Sequence, residues 1–164
     1  MIRKRVDASG DFMPGILLTK LVVVTLMMTV MPAHADGGAD SDSGSDLAGF
    51  QQLIDKRKFQ QAIDEIDVAL RERPDDADLL NLMAYSLRQQ ENFESALDFY
   101  RRALAVEPKH RGANEYLGEL YLRLGQLEKA QERLSVLDKA CFFGCDEFDE
   151  LEQAIEEYRR ENPS

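Results

Sequence analysis

Three alanines, Ala62, Ala96 and Ala130, stand 34 residues apart, each in the same local pattern. Phe59, Ile66, Ala69 and Pro74 surround the first; Phe93, Tyr100, Ala103 and Pro108 the second; Leu127, Leu134 and Leu137 the third. A period of this length admits few architectures, because each copy must be one supersecondary unit that buries its apolar face only by stacking on a neighbour. Within each copy the apolar residues form two stripes at helical spacing: Leu80, Met83 and Leu87, then Leu97, Tyr100 and Leu104 in the middle one. Phe50 and Leu53, followed by Ile63, Ile66 and Leu70, repeat this one copy earlier. Paired helices are expected to turn at Arg57-Lys58, Glu91-Asn92 and Gly125-Gln126. A small side chain at 62, 96 and 130 lets two helices approach closely, and a larger one there would cost about 1–3 kcal/mol by overpacking. Pro74 and Pro108 stop the second helix of their copies, since proline lacks an amide donor and clashes with the preceding turn. Asp75 or Asp76 then offers a cap to the next helix.

The pattern resembles the tetratricopeptide repeat over about residues 45 to 140. The middle copy reads Leu80, Met83-Ala84, Leu87, Ala96, Tyr100, Ala103, Pro108. The third reads Leu117-Gly118, Tyr121, Gly125, Ala130, Leu134, Leu137, and is closer to the family on its first helix than on its second. The first copy keeps a good second helix but has Asp46, Gly49, Phe50 and Leu53 on its first, without the usual leading aromatic. The resemblance implies an all-α fold: a right-handed α-solenoid of three helical hairpins, spanning about 47–74, 77–108 and 111–140. A seventh, capping helix is expected over 146–160. There Phe148, Leu151, Ile155 and Tyr158 form one stripe, acidic residues open the first turn, and Arg159-Arg160 close the last, which suits the helix dipole. Its outer face of Glu150, Glu152, Glu156 and Glu157 is what the end of an open solenoid needs.

Residues 1–35 read as an export signal. Arg3, Lys4, Arg5 and Lys20 precede an apolar run from Leu21 to Met31, and Ala33-His34-Ala35 fits cleavage after Ala35. Met13 would open a more compact version of the same leader. The run is shorter than the roughly 20 residues of a membrane span, so no stable insertion is expected after cleavage. Residues 36–46, DGGADSDSGSD, have the composition of a flexible acidic tether, and their spacing of Asp40, Asp42 and Gly44 fails the EF-hand pattern. Removing the leader takes away four basic and two acidic residues, moving the formal charge from −11 to −13. Such a surface repels nucleic acid and anionic lipid and favours basic partners. The chain is therefore expected in the periplasm or outside the cell.

Cys141 and Cys145 are the only cysteines, and export would carry them to an oxidising compartment. In a regular helix their β-carbons would be too far apart for a disulfide, but Gly144 can adopt the left-handed conformation that ends a helix. The expectation is a small disulfide loop at the corner before the capping helix, with Phe142 and Phe143 wedged into the adjoining core. A rival reading keeps the pair as redox-active thiols or as a soft copper(I) site, since Cys145 would sit at a helix N-terminus. Against it stand the flanking carboxylates Asp146, Glu147, Asp149 and Glu150, and the three-residue spacing. Zinc lacks ligands: beyond the cysteines the mature chain offers only His110, at a helix entry where an exposed or a capping role is expected. No catalytic triad, phosphate-binding loop or cofactor motif can be assembled, so neither an enzyme nor a resident cofactor or metal is expected.

The resemblance further implies that the first helix of each copy lines a concave, peptide-binding face. The corresponding positions are Leu47, Gln51 and Ile54; Asn81, Tyr85 and Arg88; and Glu115, Glu119 and Leu122, each set 34 residues beyond the last. Tyr85 would anchor the guest, Asn81 would bond its main chain, and Glu115 with Glu119 would form a negative edge. An extended peptide or protein segment carrying a basic residue suits that mixture. Leu47 and Gln51 stand where relatives that clamp a C-terminal carboxylate would have a basic residue and an asparagine, so chaperone-tail recognition is not expected.

Overall fold

The computed structural model describes residues 43–163; the expected signal segment and residues 36–42 of the expected tether lie outside the described residues. Seven helices follow in order, with no strand among the described residues: α1 (Ser43–Asp55), α2 (Phe59–Glu72), α3 (Ala77–Gln89), α4 (Phe93–Val106), α5 (Arg111–Arg123), α6 (Leu127–Ala140) and α7 (Asp146–Glu161). The helix starts keep the 34-residue step in both series: 43, 77 and 111 for α1, α3 and α5, and 59, 93 and 127 for α2, α4 and α6. The first helix begins four residues earlier than the tether composition suggests. Asp46 on it lies 3.4 Å from the Arg73 guanidinium, a long-range pairing that local composition does not reveal.

The three hairpin turns are one motif built three times. Arg57, Glu91 and Gly125 have left-handed φ angles of 56°, 61° and 70°. The next amide then reaches back across the helix end: Lys58 N–H to the Leu53 carbonyl at 2.9 Å, Asn92 to Leu87 at 3.0 Å, Gln126 to Tyr121 at 2.8 Å. This is the Schellman closure, which satisfies carbonyls that the helix leaves open. Only the third copy uses the residue type that adopts such a φ without strain.

Ala62, Ala96 and Ala130 are fully buried, as close helix pairing requires, and Ile66, Tyr100 and Leu137 lie beneath them on the same second helices. Leu79, Leu80, Met83, Leu117 and Leu120 supply the facing core from α3 and α5. Helix α7 packs on both α5 and α6, burying Leu151 and Ile155. Starting at 146, one residue past the next 34-residue step, it takes the place of a fourth first-helix without a partner. Gly118 permits its close approach: a β-carbon there would fall 2.6 Å from the Leu151 side chain.

Corners between hairpins position successive first helices. At residues 73–76 the Asp76 side chain accepts from the Leu79 amide at 3.1 Å; at 107–110 His110 Nδ1 accepts from the Ala113 amide at 3.1 Å. His110 Nε2 also lies 3.0 Å from Asp78. The corner at 141–145 is one residue longer and is closed by a Cys141–Cys145 disulfide, with Cα atoms 5.6 Å apart and Gly144 at φ 87°. Phe142 and Phe143 do not wedge into the core. They are 87 % and 96 % exposed, because the loop curls away from α6 and points both rings outward.

Candidate protein-interaction groove

The inner face is formed by α1, α3 and α5. At its centre, the rings of Tyr85 (α3) and Tyr116 (α5) meet with centroids 4.9 Å apart and planes tilted by 58°. The Arg88 guanidinium lies 5.1 and 5.3 Å from the two ring centroids and is paired with the Glu119 carboxylate. Arg88 is only 5 % exposed, so the pair acts as an internal brace between α3 and α5. Desolvation opposes the Arg88 charge, but the surrounding Tyr100 and Glu119 outweigh it and its pKa is raised. Burial pushes up the Tyr100 and Tyr116 hydroxyls, so both stay neutral at ordinary pH. Cation–π contact with two rings and a charge-assisted bond together fix where the tyrosine faces point.

Beside this brace a concavity of about 240 Å³ opens, lined by Gln51, Ile54 and Asp55 of α1, Tyr85 and Gln89 of α3, and Tyr116 of α5. A second, shallower hollow along the same helices is edged by Leu47, Gln51, Asp78 and Asn81. Amide and carboxylate groups therefore alternate with aromatic surface, a combination able to bond a main chain and hold side chains by stacking.

The structure distributes the nine expected groove positions unevenly. Gln51 is exposed, and Leu47, Tyr85 and Glu119 are partly so. Ile54, Asn81, Arg88, Glu115 and Leu122 are buried, since neighbouring first helices touch along this face in so short a stack. The expected negative edge at Glu115 and Glu119 is a correction. Glu119 is neutralised by Arg88, and Glu115, 2 % exposed, is covered by α7. Burial raises the Glu115 pKa to about 9; a hydrogen bond to Glu150 and the charges of Glu119, Glu150 and Glu147 add to this. Glu115 is thus protonated near neutral pH. The solvent-exposed carboxylates of this face are instead Asp55, which accepts from Gln51 Nε2 at 2.9 Å, and Asp78, 3.0 Å from His110 Nε2.

Tyr116, Gln89 and Asp55 were not among the expected positions. The periodic signal for them exists: Tyr116 is 34 residues beyond Leu82, and Gln89 is 34 beyond Asp55, and all four border one of these hollows. The expected set followed one line down each helix, whereas these belong to lines one residue over.

At the far corner the Glu147 carboxylate lies within 4.8 Å of both cysteine sulfurs. Those sulfurs are bonded to one another, so a thiolate site there would first require reduction.

Phased helical hairpins stacked in one direction, with a ligand-sized inner face, define an α-solenoid of the helical-repeat class. Residues 47–105 and 87–140 each match a family model of the tetratricopeptide repeat. The chain belongs to the tetratricopeptide-repeat proteins. Over 103 residues it is 36 % identical to a peroxisomal targeting signal receptor of Candida albicans; the match covers 63 % of this chain and 17 % of that protein. The chain thus spans only a small part of that relative's length. Among solved structures, the Sgt2 tetratricopeptide domain of Aspergillus fumigatus superposes with a TM-score of 0.63 at 21 % identity, over 73 % of this chain and 78 % of that one. The first tetratricopeptide domain of Spaghetti (RPAP3) bound to the HSP90 peptide SRMEEVD gives 0.61 at 16 % identity, over 71 % and 93 %. PcrH in complex with the chaperone binding region of PopD gives 0.62 at 16 % identity, over 76 % and 96 %. At these identities the solved structures bear on the fold.

Proposed function

We propose that this chain is an exported adaptor that holds an extended segment of a protein partner along the inner face of α1, α3 and α5. The observation that carries the reading is the braced pair Tyr85–Tyr116, set by Arg88 beside a concavity whose rim offers Gln51, Gln89 and Asp55. Two aromatic faces held rigid before binding lose little entropy when a guest stacks on them. Solved relatives that hold the HSP90 peptide and the chaperone binding region of PopD support a peptide-length guest. The solvent-exposed carboxylates Asp55 and Asp78, with an acidic chain around them, favour a guest with Lys or Arg over an acidic tail. Tetratricopeptide repeats are typically interaction scaffolds, and nothing positive points to catalysis.

Export rests on residues 1–35 and agrees with a disulfide at Cys141–Cys145, a bond that persists in oxidising compartments. Cell fractionation with N-terminal sequencing tests it: mature protein beginning at Asp36 outside the cytoplasm is expected, and an intact cytoplasmic chain would refute export. For the groove, a photo-crosslinking amino acid at Gln51 in the producing cell should trap one protein at a reproducible segment. Tyr85→Ala should cut that yield about tenfold, as truncating an interface anchor does. Equal yields with and without Tyr85 would remove the groove from the function.

A further inference from the structure

Phe142 and Phe143 protrude into solvent from the corner between α6 and α7, and among the described residues the other exposed large apolar side chains are Val68 and Val106. The two rings pack edge to face with centroids 5.0 Å apart and planes at 85°, so they form one apolar knob. The knob is held at both ends. Cys141 and Cys145 are joined across it, and the Gly144 amide donates to the Cys141 carbonyl at 2.9 Å. The repeat's own packing does not ask for these rings: the step of 34 from Pro74 and Pro108 lands on Phe142, at a corner where the other copies carry proline. Two large hydrophobic groups kept in water by a covalent tie are a cost to folding and an advantage to binding, since they are ordered before any partner arrives.

The surroundings select the partner. Between residues 138 and 150 there are five acidic residues and one basic, Lys139. Asp138, Asp146, Asp149 and Glu150 are exposed, while Glu147 lies 3.9 Å from Arg111. A convex knob needs a concave receptor, and exposed carboxylates flanking it in sequence favour cations opposite. The same carboxylates disfavour an anionic lipid surface. We propose that Phe142 and Phe143 dock into an apolar pocket of a partner protein whose rim carries lysine and arginine. This contact is separate from the inner face of α1, α3 and α5, and Tyr85 plays no part in it.

The test places p-benzoylphenylalanine at position 143 of the full chain in the producing cell, identifies the adduct, and measures the purified partner against variants of the oxidised protein. Phe142→Ser with Phe143→Ser should weaken binding about tenfold or more while leaving the circular dichroism and melting temperature unchanged, because both rings are exposed. Cys141→Ser with Cys145→Ser should weaken it about threefold through lost ordering of the loop. Tyr85→Ala should leave it unchanged, which separates this contact from the groove. Added salt should lower the affinity. Co-sedimentation with vesicles of phosphatidylcholine and phosphatidylglycerol is the parallel arm. The proposal is overturned if no adduct forms or the adduct is a second copy of this chain. It is equally overturned if the double serine variant binds as wild type, if salt strengthens binding, or if the vesicles take up wild type but not that variant.

Discussion

Residues 107–110 and residues 141–145 occupy the same place in successive copies, and both follow a second helix whose C-cap amide, Glu107 or Cys141, bonds back to the fourth residue before it. The first corner then uses Pro108 to stop the helix and His110 to cap the next one. The second has neither: Phe142 replaces the proline, Cys145 makes no side-chain cap, and a disulfide closes the loop. The seams beneath differ as well. Between α3 and α5 lies the Arg88–Glu119 brace; between α5 and α7 the Glu115 carboxyl faces Glu150 and Glu147, with Arg111 at the edge 3.9 Å from Glu147. The repeat demands a helix entry angle, and a cap or a covalent tie can each supply it. The covalent tie leaves side chains inside the loop without structural duty. It also holds α7 on a seam that repels itself whenever its proton is lost.

That contrast is broken most strongly by pH. The Glu115 carboxyl has a folded pKa of about 9 against an unfolded value near 4.5, so the folded state holds a proton that the unfolded state releases in between. Its stabilising contribution is complete below about pH 4.5 and is lost as pH rises through about 9, with a slope of at most about 1.4 kcal/mol per pH unit. Urea midpoints at about pH 5, 7 and 9 should fall for wild type and stay nearly level for Glu115→Gln, so that the variant is the more stable at the alkaline end. Parallel curves would show that Glu115 is charged in the fold.

Removing the tie is the next largest effect. Closing a ring of five residues is worth about 2 kcal/mol or less by loop entropy, so Cys141→Ser with Cys145→Ser should destabilise by up to that amount. Amide exchange should rise chiefly in α7, with α1 to α4 little changed. Replacing the five-residue corner by the four residues found at 107–110 should restore much of the loss if a cap and a tie are interchangeable. Uniform loosening of all seven helices would instead mean that the disulfide supports the whole stack.

The corner also shows how far the sequence could be read. Helix number, turn positions and the buried alanines follow from periods of 3.6 and 34, because each depends on residues near in sequence. The disulfide followed from Cys141, Cys145 and Gly144 for the same reason. The direction in which Phe142 and Phe143 point did not, since a ring's burial depends on what lies above the loop, and nothing does. Glu115 and Glu119 read as a negative edge because each is charged in isolation. Glu119 is instead paired with Arg88, 31 residues before it, and Glu115 is covered by α7, whose close approach over Gly118 no local pattern encodes. The groove was legible as a face and illegible as a surface, because phase identifies the side of a helix and neighbouring helices decide how much of it stays open.

Caps test the other half of the comparison at smaller cost. Asp76→Ala and His110→Ala each remove a side chain that accepts from a first-turn amide, and each should lose about 1 kcal/mol. Cys145 has no such bond, so Cys145→Ala in the reduced protein should cost little beyond what reduction has already taken. If the two cap variants instead match wild type in urea, the proline corners are held by packing alone.

The smallest effect lies in the hairpin turns, where Arg57 and Glu91 adopt a φ that Gly125 accommodates naturally. A left-handed non-glycine residue costs about 1–2 kcal/mol in the fold, and glycine gives back part of that through a freer unfolded chain. Glu91→Gly should therefore stabilise by about 0.5 kcal/mol, and Gly125→Ala should lose about 1 kcal/mol. Both are read as shifts in denaturation midpoint at unchanged slope. Because the turn bonds are alike in all three copies, the two substitutions should act oppositely and additively in one protein. A stabilising Gly125→Ala would mean that this turn is not left-handed in solution, and the threefold likeness of the hairpins would end there.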